Sequence, residues 1–289
     1  MVAALPAFAE TTGKISTGPG HFVLANEGEP IDVFTYKPPT YEKGPILVVI
    51  HGSDRDAEDY RNDAISIAER LEVIVVAPLF DRERFSDERY KRGCGVTKDG
   101  KLQPKDKWTF NVIVRLVAKV REMEGSKLAY YMIGHSGGGQ FVAKMAMFMP
   151  DEAKGFVAAN AGSNVFPTRE LKFPYGLGGL PEELHSDEIL RRFCAQPLTL
   201  FLGTGDVHQL ESDSFDFSPG AMAQGPTRLE RNHNFFNEMK KMASQHGWPF
   251  AWQIVETREG VAHDGARMFH APEVEKALFG NCKDRCRTP

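Results

Sequence analysis

This sequence has little cysteine, four residues in 289. That is too few for a disulfide framework at this size, and a chain this long can bury a large core without one. It has no apolar run near the roughly 18 residues that a membrane-spanning helix needs. Its runs are short, such as ILVVI at 46–50. It has no excess of positive charge: 35 basic against 39 acidic residues give a net charge of −4. That balance argues against nucleic acid or an anionic membrane as the main partner. It has no internal repeat, no low-complexity tract and no composition break that would mark a linker. With 42 % apolar and 26 % charged residues, an ordered globular chain is expected.

Both ends leave alternatives open. Residues 1–10 (MVAALPAFAE) carry a small-x-small pattern at Ala7-Phe8-Ala9 after a short apolar stretch, with no basic segment before it. They read as the tail of a signal peptide, which implies a periplasmic or secreted protein, or as an apolar strand or arm, which leaves the cytoplasm open. At the other end Cys282 and Cys286 are four apart. On a helix that spacing holds Cβ atoms about 5–6 Å apart, beyond the roughly 3.8 Å of a disulfide. They are free thiols or, in a frayed turn, one local bridge. A single CxxxC without a second Cys/His pair is weak evidence for zinc. Cys94 and Cys194 read as small core residues.

What is present is an alternation. Residues 22–24 and 31–36 flank the turn formers Asn26, Gly28 and Pro30 and predict an antiparallel hairpin. Residues 46–50, 73–78, 129–133, 155–159, 198–202 and 251–255 are short apolar runs, the pattern of strands covered on both faces. Helical patterns lie at 57–71, 108–124, 137–149, 181–193, 227–246 and 264–278. Strand and helix in turn predict an α/β fold: a mostly parallel eight-stranded sheet, helices on both faces and the hairpin at one edge. Two excursions break the rhythm, at 163–195 and 207–226. The first opens with a Gly-, Pro- and aromatic-rich loop at 163–180, and such loops after strands form lids and binding surfaces.

The stretch Gly134-His135-Ser136-Gly137-Gly138 is a G-x-S-x-G pattern. At average composition it occurs by chance in roughly one chain in ten of this length, so the bare pattern is weak. Its context is specific: a predicted strand runs in, a predicted helix runs out, and Ser136 falls at the corner. A sharp strand-to-helix turn exposes the serine hydroxyl and brings the flanking residues so close that they must lack bulk, which Gly134 and Gly138 satisfy. The Gly137 N–H opens the next helix, where a developing oxyanion is stabilised.

A serine hydroxyl needs a base, and the base needs an orienting acid. Asp206 follows the strand 198–202 in Gly203-Thr204-Gly205-Asp206 and is the candidate acid; Glu211 and Asp213 are the substitutes. His263 lies in the loop between the last strand and the last helix and is the candidate base. His270 is expected well inside that helix, and His208, His233 and His246 are expected in structural or surface roles. The second oxyanion donor is expected from the loop after 46–50, with the Ser53 backbone N–H first; His51 is expected to bond backbone there. Phe173 and Tyr175, in the loop 163–180, are the candidate substrate-binding rings. The alternative for that loop is packing against the 181–193 helix.

With HGS at 51–53, DAEDYR at 56–61, APLFD at 77–81, GHSGGG at 134–139, GTGD at 203–206 and GVAHDGA at 260–266, the chain resembles the α/β-hydrolase superfamily. Within it the chain is most similar to the poly(3-hydroxybutyrate) depolymerase-like and feruloyl-esterase-like serine esterases. The resemblance spans residues from about 46 to 270. It implies a catalytic domain over 21–289, after an arm or signal remnant at 1–20. It also implies hydrolysis of carboxylic esters through an acyl-serine intermediate, with no cofactor and no metal. The expected partner is a small-molecule or oligomeric ester, of short polyhydroxyalkanoate or aryl type. Acyltransferase, thioesterase or peptidase chemistry uses the same groups and stays open. A binding module without catalysis would have lost one of Ser136, Asp206 or His263, and all three are present.

Overall fold

Alternating apolar runs and amphipathic stretches build one eight-stranded sheet in the computed structural model, which describes residues 13–26, 29–93, 95–97, 100–150, 152–208 and 215–280. β1 (Gly18–Leu24) and β2 (Ile31–Lys37) form an antiparallel hairpin. β2 pairs antiparallel with β4 (Ile74–Pro78). From β4 onward the pairing is parallel, through β3 (Ile46–Ile50), β5 (Tyr130–His135), β6 (Phe156–Ala159), β7 (Leu198–Leu202) and β8 (Gln253–Glu256). The order across the sheet is β1-β2-β4-β3-β5-β6-β7-β8.

The continuous apolar runs are explained by what covers them. Along β3, Ile46, Val48 and Ile50 enter one core, while Leu47 and Val49 enter the other. One face is covered by α4 (Phe110–Glu124), α5 (Gly137–Phe148), α6 (Asp187–Ala195) and α8 (Arg228–His246), which contribute Phe110, Phe141, Phe193 and Phe235. The other is covered by α1 (Ala57–Asp63), α2 (Ile65–Leu71), α9 (Gly265–His270) and α10 (Val274–Phe279), which contribute Tyr60, Ile67, Phe269 and Leu278. Burial on both faces removes the alternation that a half-exposed strand would show.

Several predicted helices prove to be two. The stretch 57–71 divides at Ala64, just after the weak helix formers Asn62 and Asp63. The stretch 264–278 divides because Pro272 cannot continue a helix and pushes Ala271 into extended backbone, ψ 138°. His270 therefore ends α9, exposed, rather than lying inside a longer helix. The stretch 181–193 opens as a 3₁₀ turn at Glu182–Leu184, and α6 begins only after the Ser186 cap. Two short helices were not read from the sequence: α3 (Asp87–Lys91), capped by Ser86, and α7 (Pro219–Met222), capped by Ser218. Neither is long enough to show a helical period. Residues 1–12, Cys94, Glu211, Asp213, Cys282 and Cys286 lie outside the described residues; Cys194 is a free, buried thiol.

Candidate active site

In a parallel sheet the strands end on one edge, and loops from separate strands converge there. β5 runs into Ser136, whose backbone turns sharply (φ 57°, ψ −116°) before α5 begins at Gly137. A Cβ on Gly134 would strike the Gly138 carbonyl, and one on Gly138 would strike the carbonyls of Ile50 and His51. The turn closes only with glycine at both places. The Ser136 N–H donates to Ala159 O at 2.9 Å, which fixes the turn to the end of β6.

The loop after β7 carries Asp206 and the loop after β8 carries His263. The two loops are bonded together: Gly205 N donates to Val261 O at 2.9 Å, and Thr204 Oγ1 donates to Thr257 O at 3.1 Å. His263 Nδ1 lies 2.8 Å from Asp206 Oδ2, and His263 Nε2 lies 2.9 Å from Ser136 Oγ. The sequence candidates for nucleophile, base and acid are thus in hydrogen-bond reach in one chain. Asp206 is buried, and its other oxygen faces Arg228 Nη1 at 3.5 Å from α8, itself buried. No periodicity or motif marked Arg228.

Ser53 follows β3. A Cβ built on Gly137 would lie 3.4 Å from the Ser53 nitrogen and 2.9 Å from its Oγ, so the two candidate oxyanion donors belong to adjoining backbone. His51 is fully buried below them. Its Nε2 accepts from Phe80 N at 3.0 Å and its Nδ1 faces Gly52 O at 2.8 Å, so it bonds backbone as expected. Burial pushes its pKa down to about 4. His135 is also buried and held neutral, its pKa driven well below the usual value first by burial and then by the charges of His263 and Arg228. Its Nδ1 bonds the Tyr60 hydroxyl at 2.9 Å.

Ser136 opens onto a cavity of about 670 Å³. Its wall is more polar than the loop 163–180 implied, with Asp54, Arg82, Lys91, Arg92, Gln140 and Asp216 among its residues. Lys91, from α3, places its Cε 3.3 Å from a Cβ built on Gly137, beside the oxyanion donors. Its ammonium pairs with Asp87 at 2.9 Å. Tyr175 lines the cavity, donating to Asp216 Oδ2 at 2.7 Å and accepting from Ser218 Oγ at 2.8 Å. Phe173 does not line it. Its ring packs 6.1 Å from Phe148 and borders a neighbouring cavity with Val96 and Lys172. The four histidines expected in structural or surface roles lie apart from the triad: His208 and His270 are exposed, His233 pairs with Glu256 at 3.0 Å, and His246 stacks on Trp248. Among the described residues no group of three or more His, Cys, Asp or Glu could hold a metal ion, and no helix is long and apolar enough to cross a membrane.

A strand–serine–helix corner over a mostly parallel sheet is the architecture of an α/β-hydrolase. Poly(aspartic acid) hydrolase-1 from Sphingomonas sp. KT-1 superposes with a TM-score of 0.83 at 33 % identity, over 89 % of this chain and 97 % of that one. LpqC, a poly(3-hydroxybutyrate) depolymerase from Bordetella parapertussis, gives 0.79 at 33 % identity over 88 % of each chain. S-formylglutathione hydrolase (FrmB) from Staphylococcus aureus shares the fold, with a TM-score of 0.51 at 17 % identity over 89 % of this chain and 95 % of that one. No protein-family model and no curated protein sequence matches the chain. The chain belongs to the poly(3-hydroxybutyrate) depolymerase-like family of the α/β-hydrolase superfamily. It is a hydrolase.

Proposed function

We propose that this hydrolase cleaves carboxylic esters through an acyl-serine intermediate. The observation that carries the reading is the unbroken chain from Ser136 Oγ through His263 to Asp206, with contacts of 2.9 and 2.8 Å. Ser136 Oγ attacks the ester carbonyl while His263 Nε2 takes its proton. Asp206 holds the His263 tautomer that leaves Nε2 free to accept, and it stabilises the imidazolium that forms. The N–H groups of Gly137 and Ser53 hold the oxyanion. His263 then protonates the leaving alcohol, and water, activated by the same imidazole, releases the acid and frees Ser136. The polar wall suits a short ester, such as a small hydroxyalkanoate or its oligomers, better than a long acyl chain.

A chromogenic ester panel of varied acyl length, run on wild type, Ser136→Ala and His263→Ala, tests this. Both variants lose on the order of 10⁶ in kcat, while His270→Ala, altered at an exposed helix end, keeps its activity. Ser136→Ala activity within about tenfold of wild type would overturn the nucleophile assignment.

One observation favours a second reading of the substrate, a carboxylate-bearing ester or amide like the polymer that names the Sphingomonas relative. Lys91 sets a cation beside the oxyanion donors. Asp54, Asp87 and Asp216 share the wall, so this reading rests on the place of Lys91 and not on net charge. It predicts faster cleavage of a 4-nitrophenyl hemisuccinate than of the neutral butyrate, a preference that Lys91→Met removes.

A further inference from the structure

Asn160 is the first residue beyond β6, 2 % exposed, with a left-handed backbone at φ 43°. Its side-chain Oδ1 accepts from Gly203 N at 2.8 Å, and its Nδ2 donates to Ala262 O at 3.2 Å. Gly203 begins the Gly203-Thr204-Gly205-Asp206 turn, and Ala262 directly precedes His263. The peptide just before Asn160 serves the third segment, because Ala159 O is the acceptor of the Ser136 N–H. The backbone N–H of Asn160 itself donates to Phe201 O at 3.1 Å, which pins it to β7.

Two separate demands meet at this position. A single planar group must both accept and donate: a carboxylate lacks the donor, and an aliphatic side chain lacks both. The left-handed backbone favours glycine or asparagine. Asparagine alone among the common residues meets both well. The space is also matched from the other side, since a Cβ on Gly203 would meet Asn160 Nδ2 at 3.1 Å and strike the Val261 carbonyl.

We propose that Asn160 is a positioning residue that sets the distance between Ser136 and the His263–Asp206 pair. The inference rests on the roles given above to those three residues. The bonds between Thr204, Gly205, Thr257 and Val261 lock the acid and base loops to each other. The Asn160 carboxamide ties that locked pair to the strand end that holds the serine turn. Without it the two loops still travel together, so the His263–Asp206 bond survives while the 2.9 Å approach of Nε2 to Ser136 Oγ is lost.

That division makes the test specific. Asn160→Gly keeps the backbone conformation and removes both side-chain bonds; Asn160→Asp keeps the acceptor and removes the donor. Each is measured below its own melting temperature, with circular dichroism confirming the fold. Both variants should lose about 100-fold in kcat, the cost of a misplacement near 1 Å. KM should stay within about threefold of wild type, because the cavity wall is untouched. The downfield proton resonance of the His263 Nδ1–H···Asp206 bond should persist in Asn160→Gly. A folded Asn160→Gly enzyme with kcat within about threefold of wild type overturns the proposal, as does disappearance of that resonance or a rise in KM equal to the fall in kcat. If Ser136→Ala stays active, the triad reading fails first. If Ser136→Ala is dead and Asn160→Gly is not, only the role of Asn160 falls.

Discussion

The imidazole of His135 lies 4.7 Å from that of His263, tilted 39° to it. Two rings this close cannot both be imidazolium at low cost, and burial keeps His135 neutral. Its only bond among the described residues is to Tyr60, and its Nε2 has no partner there. The Tyr60 hydroxyl also presses on the serine-turn neighbours: a Cβ on Gly52 or on Gly265 would meet it at 2.8 Å. Tyr60→Phe leaves both nitrogens of buried His135 without a partner among the described residues. The expected loss is about 1–3 kcal/mol of stability, read as a lower urea midpoint. An unchanged midpoint would mean that the bond contributes nothing net.

Acid should weaken the fold through the buried histidines. His51 has a pKa of about 4 in the folded protein, against an unfolded value near 6.5. The unfolded chain therefore binds a proton that the folded one refuses. The stability from keeping His51 neutral is complete above pH ~6.5 and is lost as pH falls toward 4. At pH 5 His51 alone accounts for a loss of about 2 kcal/mol relative to pH 7, and His135 acts in the same direction. Urea unfolding at the two pH values measures the difference; equal free energies would falsify it.

Lys144 runs against the usual logic of a core. It lies in α5, 2 % exposed, and its Nζ has no partner among the described residues. It borders a small cavity with Asn164, whose Oδ1 is likewise without a partner there. Burial, reinforced by the charges of Arg92 and Lys91, pushes its pKa down to about 7. Protonating it in the fold is costly, and the cost is fully present below pH 7 and vanishes above the unfolded value near 10.4. Lys144→Met should therefore raise stability at pH 7 by about 1–3 kcal/mol, with the advantage shrinking toward pH 10. A destabilised variant at pH 7 would show that the ammonium is satisfied in solution.

Much of this was legible in the sequence. The strands read well because a run such as ILVVI, apolar at every position, has only one use at that length: burial on both faces. The meeting of Ser136, Asp206 and His263 at one sheet edge was legible because the serine turn and the end of β7 carry glycine where backbone must pass close, and because His263 falls between the last strand and the last helix. Helix ends were less legible. Ala64 and Pro272 break helices whose apolar faces continue across the break. Arg228 and Asn160 escaped notice because a buried arginine in an amphipathic helix and an asparagine after a strand look like ordinary surface and turn residues. Only the fold brings them to Asp206 and Gly203.

The loop 163–180 supplied two aromatic candidates, and the structure gives them different surroundings. Tyr175 stands on the cavity wall, its hydroxyl bonded to Asp216 and Ser218 from the loop before α7. That loop is held in turn by Arg231, which donates to Gly162 O at 2.8 Å and to Asp216 O at 2.9 Å. Tyr175→Ala removes a wall contact and loosens this tie. Relative kcat/KM across esters of different acyl length should shift by roughly 10-fold, the worth of one good pocket contact. Phe173 packs on Phe148, away from Ser136. Phe173→Ala should therefore scale all esters alike and instead lower stability by about 1–3 kcal/mol, less than truncation of a fully buried ring. The paired measurement separates the roles, because one variant moves the substrate profile and the other moves the melting temperature. A changed ester profile in Phe173→Ala, with none in Tyr175→Ala, would reverse the assignment and put the acyl site in the neighbouring cavity by Lys172.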